Sequence, residues 1–336
     1  MTVVPEFDAA VLAGYLRTQL PELEGEMQLE RIGGGQSNPT FFVTFEKGRR
    51  LVLRKQPPGE LLKSAHAVDR EYRIMRALRG TAVPVPDALL FCENRAVVGT
   101  PFYVMERLQG RVMSDYALPD IEPEMRKEYL FAMADTLAAL HAVDWQSVGL
   151  ADYGKPGNFF ERQIARWTKQ WHASKVKENP DVERLIEWLP ANIPDGDETT
   201  IAHGDFRLGN LMFHPTEPKV IAVLDWELST LGHPLADAAY SSLPWLTHAD
   251  VFEGIRGLDM QANLLPMQQE YLDRYMQASG RSSKVEPFHH IFSLFRFAVI
   301  LEGITARARA GNAVAQDAVA VGGLSSRFAR YAAELI

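Results

Sequence analysis

The 336-residue chain contains a single cysteine, Cys92. One thiol forms no internal disulfide and no thiolate metal site. Long hydrophobic runs are missing too. The most apolar stretch, residues 291–304, is broken by Arg296 and Glu302, short of the roughly 18 uncharged apolar residues of a membrane helix. Basic runs are equally scarce. Lys and Arg number 35 against 43 Asp and Glu, a formal charge of −8, which argues against nucleic acid or an anionic membrane surface as partner. The pair His289-His290 has neither the spacing nor the carboxylate company of a metal site. The first residues carry no basic segment followed by an apolar one, so no secretory leader is read and the expected compartment is the cytoplasm.

What is present is 46% hydrophobic and 23% charged residues, enough apolar material for about two domains or one fold of two lobes. The pattern predicts a helix over residues 8–20 and strands over 27–32, 39–46 and 50–55, with Gly33-Gly34-Gly35 and Lys47-Gly48 as turns. A helix over 66–79 follows from Val68, Tyr72 and Met75 on one face. Strands over 88–92 and 101–106 complete a five-strand unit, and the first domain is expected to span 1–108. From about Pro119 the pattern turns helical. Helices are expected up to residue 141 and over 159–175, 180–189, 234–243, 264–279, 288–309 and 312–335. A strand-like island at 200–213 and 219–224 interrupts them. The expectation is an α+β chain, with a second, mainly helical domain over 109–336.

The informative stretch is His203-Gly204-Asp205-Phe206-Arg207-Leu208-Gly209-Asn210, followed after a short apolar run by Asp225-Trp226-Glu227. Phosphoryl transfer needs a carboxylate that accepts the proton of the attacking hydroxyl. It also needs hard oxygen ligands for magnesium. Asp205 fits the first role, and Asn210 and Asp225 fit the second. Alone, Asp205 and Asn210 would read as turn residues and Asp225 as a helix cap. A metal-dependent hydrolase built on His203, Asp205 and Asp225 would need further ligands that the sequence does not offer.

In this order and spacing, the motifs resemble the catalytic loop of the aminoglycoside-phosphotransferase-like branch of the protein-kinase fold. That branch has His-Gly-Asp and Asp-Trp-Glu where protein kinases have His-Arg-Asp and Asp-Phe-Gly. The run Gly232-His233-Pro234-Leu235-Ala236-Asp237 is similar to the family's Gly-x-Pro-x-x-Asp, whose aspartate braces the loop. The resemblance implies a two-lobed fold, with a small five-stranded antiparallel N-lobe carrying one main helix and a larger helical C-lobe. It also implies ATP and Mg2+ as cofactors and a small-molecule hydroxyl as acceptor. Gly34, Gly35, Ser37 and Asn38 then fall at the phosphate-covering loop, although the sequence does not match the Gly-x-Gly-x-x-Gly of protein kinases.

Arg54 takes the third-strand register of the family's lysine, and Lys55 follows. Neighbouring strand residues face opposite ways, so only one of the two reaches the phosphates. Arg54 is preferred, because its fork grips phosphate and carboxylate bidentately, with Glu71 as partner. Arg207 matches the basic residue aimed at the transferring group, and backbone near Glu106 and Leu108 would meet the adenine. Several details look most like the subgroup fused to acyl-CoA dehydrogenases, among them Val52-Leu53-Arg54, Tyr103-Val104-Met105-Glu106 and His203-Gly204-Asp205-Phe206-Arg207. This subgroup implies a 4-hydroxyacyl-CoA acceptor. Aminoglycoside, choline or homoserine kinases, and a nucleotide-binding pseudokinase, are the competing readings. Arg296 and Glu302 are candidates for a buried pair or for the acceptor pocket.

Overall fold

The computed structural model describes residues 7–33, 38–59, 67–251, 253–309 and 323–336. The chain divides into two compact units, Met1–Gly110 with Ile221–Glu227, and Arg111–Val220 with Leu228–Ile336.

The first unit opens with α1 (Ala9–Gln19), whose first turn is held by the Asp8 carboxylate accepting from the Ala10 N–H at 2.7 Å. Five strands follow: β1 (Glu24–Arg31), β2 (Thr40–Lys47), β3 (Leu51–Lys55), β4 (Ala88–Cys92) and β5 (Phe102–Glu106). They form one antiparallel sheet in the order β1-β2-β3-β5-β4. Apolar residues at every second position set its buried face. Phe41, Val43, Phe45, Leu51, Leu53, Phe102 and Val104 join Leu12 and Leu16 of α1 in one core. Residues of the alternate set, Arg54 of β3 and Tyr103 of β5, are cross-strand partners. They face Glu71 on α2 (Val68–Leu78). A short α3 (Arg95–Val98), absent from the sequence reading, precedes β5, with Asn94 as its N-cap.

The second unit is mainly helical. It holds α4 (Pro123–His141), α5 (Phe159–Ser174), α6 (Pro180–Ala191), α7 (Pro234–Ser241), α8 (Gln268–Ser279), α9 (Pro287–Arg309) and α10 (Ser325–Ala333). Helix α9 is apolar nearly all round and is therefore central. Phe288, Phe292 and Phe295, one above another on it, pack with Phe160 and Trp171 of α5, Leu185 of α6 and Phe328 of α10. Short antiparallel pairs frame the loop between residues 202 and 211. They are β6 (Arg111–Val112) with β8 (Leu211–Phe213), and β7 (Thr200–Ala202) with β10 (Thr230–Gly232). One further strand, β9 (Val220–Val223), leads into Asp225.

The predicted helix over 264–279 begins only at Gln268. Leu264 has a left-handed backbone (φ 51°), and Pro266 has no N–H to continue a helical ladder. Of the predicted helix over 312–335, residues 312–322 lie outside the described ones, and Ser325–Ala333 is helical. Among the described residues no helix is long and apolar enough to cross a membrane.

Candidate active site

In the first unit, Arg54 sits among carboxylates. Its Nη2 donates to Asp225 Oδ1 at 2.8 Å and lies 3.9 Å from Glu227 Oε2, and its Nε lies 3.2 Å from Glu71 Oε2. The Nε contact is an ion pair without hydrogen-bond alignment. Lys55 points the other way, its ammonium 5.1 Å from the Phe7 ring centre. Alternation along β3 thus places Arg54, and not Lys55, with the acidic groups.

Glu71 is buried, and it accepts from Asn38 Nδ2 at 2.7 Å and from the Tyr103 hydroxyl at 3.1 Å. Burial pushes its carboxyl above the usual range, against the pull of Arg54 and with added repulsion from Asp225. Burial opposes the charge on Arg54, but Tyr103, Glu71, Asp225 and Glu227 more than offset it, so the guanidinium is held protonated. Asp225 itself has a left-handed backbone (φ 61°), a conformation that Asp tolerates better than most residues.

Asn38, expected at the phosphates, spends its amide on Glu71. Gly34, Gly35 and Ser37 lie outside the described residues. Glu106 ends β5 with its carboxylate accepting from the Asp87 N–H at 2.8 Å. Two residues on, the backbone N–H and carbonyl of Leu108 make no hydrogen bond among the described residues.

The second unit holds the other group. Asp205 Oδ1 accepts from the Tyr240 hydroxyl at 2.5 Å. Its Oδ2 accepts from Asn210 Nδ2 at 2.8 Å and from Arg207 Nε at 3.4 Å. Arg207 also gives its Nη1 to Glu253 Oε1 at 2.8 Å. Burial, then the charge and hydrogen bond of Asp205, raise Tyr240 well above its ordinary value, so the phenol remains a donor. Burial pushes Glu253 up to about 7 despite the attraction of Arg207.

The loop is braced from below. Asp237, near the start of α7, accepts from the His203 and Gly204 N–H groups at 2.5 and 3.0 Å. His203 Nδ1 accepts from the Asp205 N–H at 3.2 Å. Burial alone would raise Asp237, but the hydrogen bond and charge of His141 and the His203 contacts hold it below the usual carboxylate range. A pocket beside Asp205 is walled by Tyr116, Arg207, Tyr240, Leu243, Glu253 and Phe297, among others.

The expected Arg296–Glu302 pair does not form. Six residues on a helix turn about 240°, so Glu302 accepts from the Val176 N–H at 2.8 Å, whereas Arg296 donates to the Gly204 carbonyl at 2.6 Å. Tyr240 and Glu253 were not read from the sequence as site residues. Tyr240 lies three residues after Asp237, one turn on in the same helix, which is a usable signal. Nothing in the sequence marks Glu253.

Among the described residues, no three His, Cys, Asp or Glu side chains gather as a metal cluster. Magnesium needs no such cluster, since it takes one or two protein carboxylates and completes its shell with phosphate oxygens and water. The donor chemistry of Asp225 fits. Arg54 faces three carboxylates, an excess of negative charge that a divalent cation would balance.

A profile of the phosphotransferase enzyme family matches residues 28–278. Acyl-CoA dehydrogenase family member 10 of Mus musculus is 43% identical over 315 residues, covering 92% of this chain and 29% of the mouse protein. The chain spans well under half the length of the curated relatives it matches. A crystal structure from Ralstonia eutropha JMP134, described as a candidate aminoglycoside phosphotransferase, is 43% identical with a TM-score of 0.89, covering 98% of both chains. A thermostable mutant of aminoglycoside phosphotransferase APH(4)-Ia, in ternary complex with AMP-PNP and hygromycin B, shares the fold. It has 16% identity and a TM-score of 0.62, over 96% of this chain and 99% of that one.

Proposed function

We propose, for a chain that belongs to the phosphotransferase enzyme family and is a small-molecule kinase, that ATP is the donor, Asp205 the catalytic base and a hydroxylated acyl thioester the acceptor. The observation that carries this reading is the set of donors on Asp205. A carboxylate has about four lone-pair sites. Tyr240, Asn210 and Arg207 take three of them, with one acceptor site left for an incoming hydroxyl. The hydroxyl proton passes to Asp205. The oxygen forms its bond to the γ-phosphorus as the bond to the β-phosphate oxygen breaks, releasing ADP. Arg207 stabilises charge on the transferring oxygens.

Asn210 and Asp225 hold the magnesium, which when bound would neutralise charge on the phosphates. Arg54, oriented by Glu71, grips the phosphates beside Gly34, Gly35 and Ser37, while Asn38 holds Glu71. Backbone at Glu106 and Leu108 meets the adenine, an assignment favoured by the unengaged backbone groups of Leu108. In this reading residues 1–108 supply the nucleotide contacts, and 109–336 carry the catalytic loop and the acceptor site.

The acceptor assignment is supported first by relatives named as acyl-CoA dehydrogenase family members, and second by the lining of the pocket beside Asp205. Its walls are mostly aromatic and aliphatic, with Arg207 and Thr247 among them, and its one carboxylate, Glu253, is already paired with Arg207. A polycation would find no free counter-charge there, and the cavity itself, about 20 Å³, is too small to enclose an acyl chain, which would lie outside it. The test is a mass-spectrometric assay of Mg·ATP against 4-hydroxyvaleryl-CoA, kanamycin, choline and homoserine. Phosphorylation of the thioester alone is expected. Transfer to kanamycin alone would overturn the acceptor, and ATP binding with no phosphorylated product from any of the four would favour a regulator.

A further inference from the structure

Two arginines gather at one tryptophan ring, and one of them reaches the catalytic loop. Arg166 on α5 and Arg296 on α9 both approach the Trp167 ring, with guanidinium carbons 5.2 and 5.7 Å from its centre. Arg296 also lies 5.6 Å from the Tyr240 ring, whose hydroxyl is on Asp205. Its Nη2 hydrogen-bonds the carbonyl of Gly204, the residue before Asp205. Both arginines belong to the second unit, as do all of these partners.

Three other partly buried arginines pair with acids, Arg54 with Glu71 and Asp225, Arg207 with Glu253 and Arg281 with Glu198, whereas Arg126 and Arg162 give their donors to backbone carbonyls. Among the described residues neither Arg166 nor Arg296 has a carboxylate partner, and partial burial, followed by repulsion from Arg296, lowers Arg166. Holding two like charges against one indole is unfavourable unless something else is drawn to them. Arg166 is exposed and Arg296 half-buried, so a ligand can reach both.

We propose that Arg166 and Arg296, gathered at Trp167 beside the Gly204 carbonyl, form a binding site for an anionic group of the acceptor, a phosphate or a carboxylate. A guanidinium fork matches either anion bidentately. The Trp167 ring supplies a flat surface that keeps the two forks in place. The site lies on the same loop as Asp205, so an acceptor anchored there by its charge presents its hydroxyl close to the base. This inference rests on the reading of Asp205 as the group that meets the acceptor. It makes charge a determinant of specificity, selecting negatively charged acceptors and rejecting polycations.

The test is calorimetric titration of coenzyme A, dephospho-coenzyme A, 4-hydroxyvalerate and kanamycin into the wild-type chain, Arg166→Gln and Arg296→Gln, with Mg·AMP-PNP titrated alongside. At least one anionic probe is expected to bind the wild type and to weaken ten-fold or more in each variant, while AMP-PNP affinity is unchanged. A loss seen with coenzyme A but smaller with its dephospho form identifies a phosphate as the anchored group. A loss confined to 4-hydroxyvalerate identifies a carboxylate. The proposal is overturned if no anion binds the wild type, if both variants bind as it does, or if kanamycin binds most tightly. Failure of the kinase reading would show instead as absent AMP-PNP binding, and Arg166→Gln, an exposed position, guards against misfolding in the α9 variant.

Discussion

Gly204 separates His203 from Asp205 with φ at +81°, and a Cβ there would come 2.7 Å from the Leu228 carbonyl oxygen. Both its backbone groups are used, the N–H on Asp237 and the carbonyl on Arg296. Glycine at this point therefore sets the path of the loop that carries Asp205. Gly204→Ala is expected to lower stability by about 1–3 kcal/mol in urea unfolding and to reduce turnover more than nucleotide affinity. An unchanged unfolding midpoint would show that the loop tolerates the side chain.

The residues legible from sequence, Asp205, Arg207 and Asn210, are close neighbours in the chain and carry their chemistry in their spacing. Tyr240 and Glu253 reach the same site from 35 residues beyond Asp205 and 46 beyond Arg207. A tyrosine or a glutamate acquires such a role only through tertiary placement, which no local pattern records.

At the scale of elements, alternation and heptad-like spacing located the five strands of the first sheet and most helices, because one face of each is buried and the apolar period shows it. What escaped were pieces too short to show a period, such as Arg95–Val98 and Arg111–Val112. The start of the helix at Gln268 also escaped, where proline chemistry overrode an apolar run.

Helix α9 is the element on which the second unit depends. Its Phe292 packs edge-on against Phe160 at 5.2 Å and Phe159 at 6.3 Å. Phe292→Ala is expected to cost about 3–5 kcal/mol, read as a lower denaturation midpoint. A loss under about 1 kcal/mol would show that neighbouring rings close the cavity and that α9 is less central than its burial indicates.

For the whole molecule, the buried histidines decide how stability follows pH. Burial depresses His233 to about 4, His289 to about 3 and His290 to about 4. Each is neutral in the folded chain at a pH where the unfolded chain, with a histidine value of about 6.5, binds a proton. The unfolded state thus holds more protons in this window, so stability rises with pH through it. It is fully present above about pH 6.5 and is lost progressively as the pH falls toward the folded values. Thermal unfolding between pH 7 and pH 4 is expected to show a steadily falling midpoint, shallower in His290→Gln by one proton's share. A midpoint flat over that range would mean that these histidines are charged or solvated in the folded state.

The central claim is that Asp205 is the base of a phosphoryl transfer. Single-turnover phosphorylation of the acceptor by the wild type and by Asp205→Asn, with Mg·AMP-PNP affinity measured on both, tests it most directly. Asparagine keeps the size and the hydrogen-bonding reach of the side chain but cannot take the proton. The account predicts a fall in the transfer rate of about 10²–10⁴-fold with nucleotide affinity nearly unchanged. Transfer in Asp205→Asn within a few-fold of wild type would contradict it.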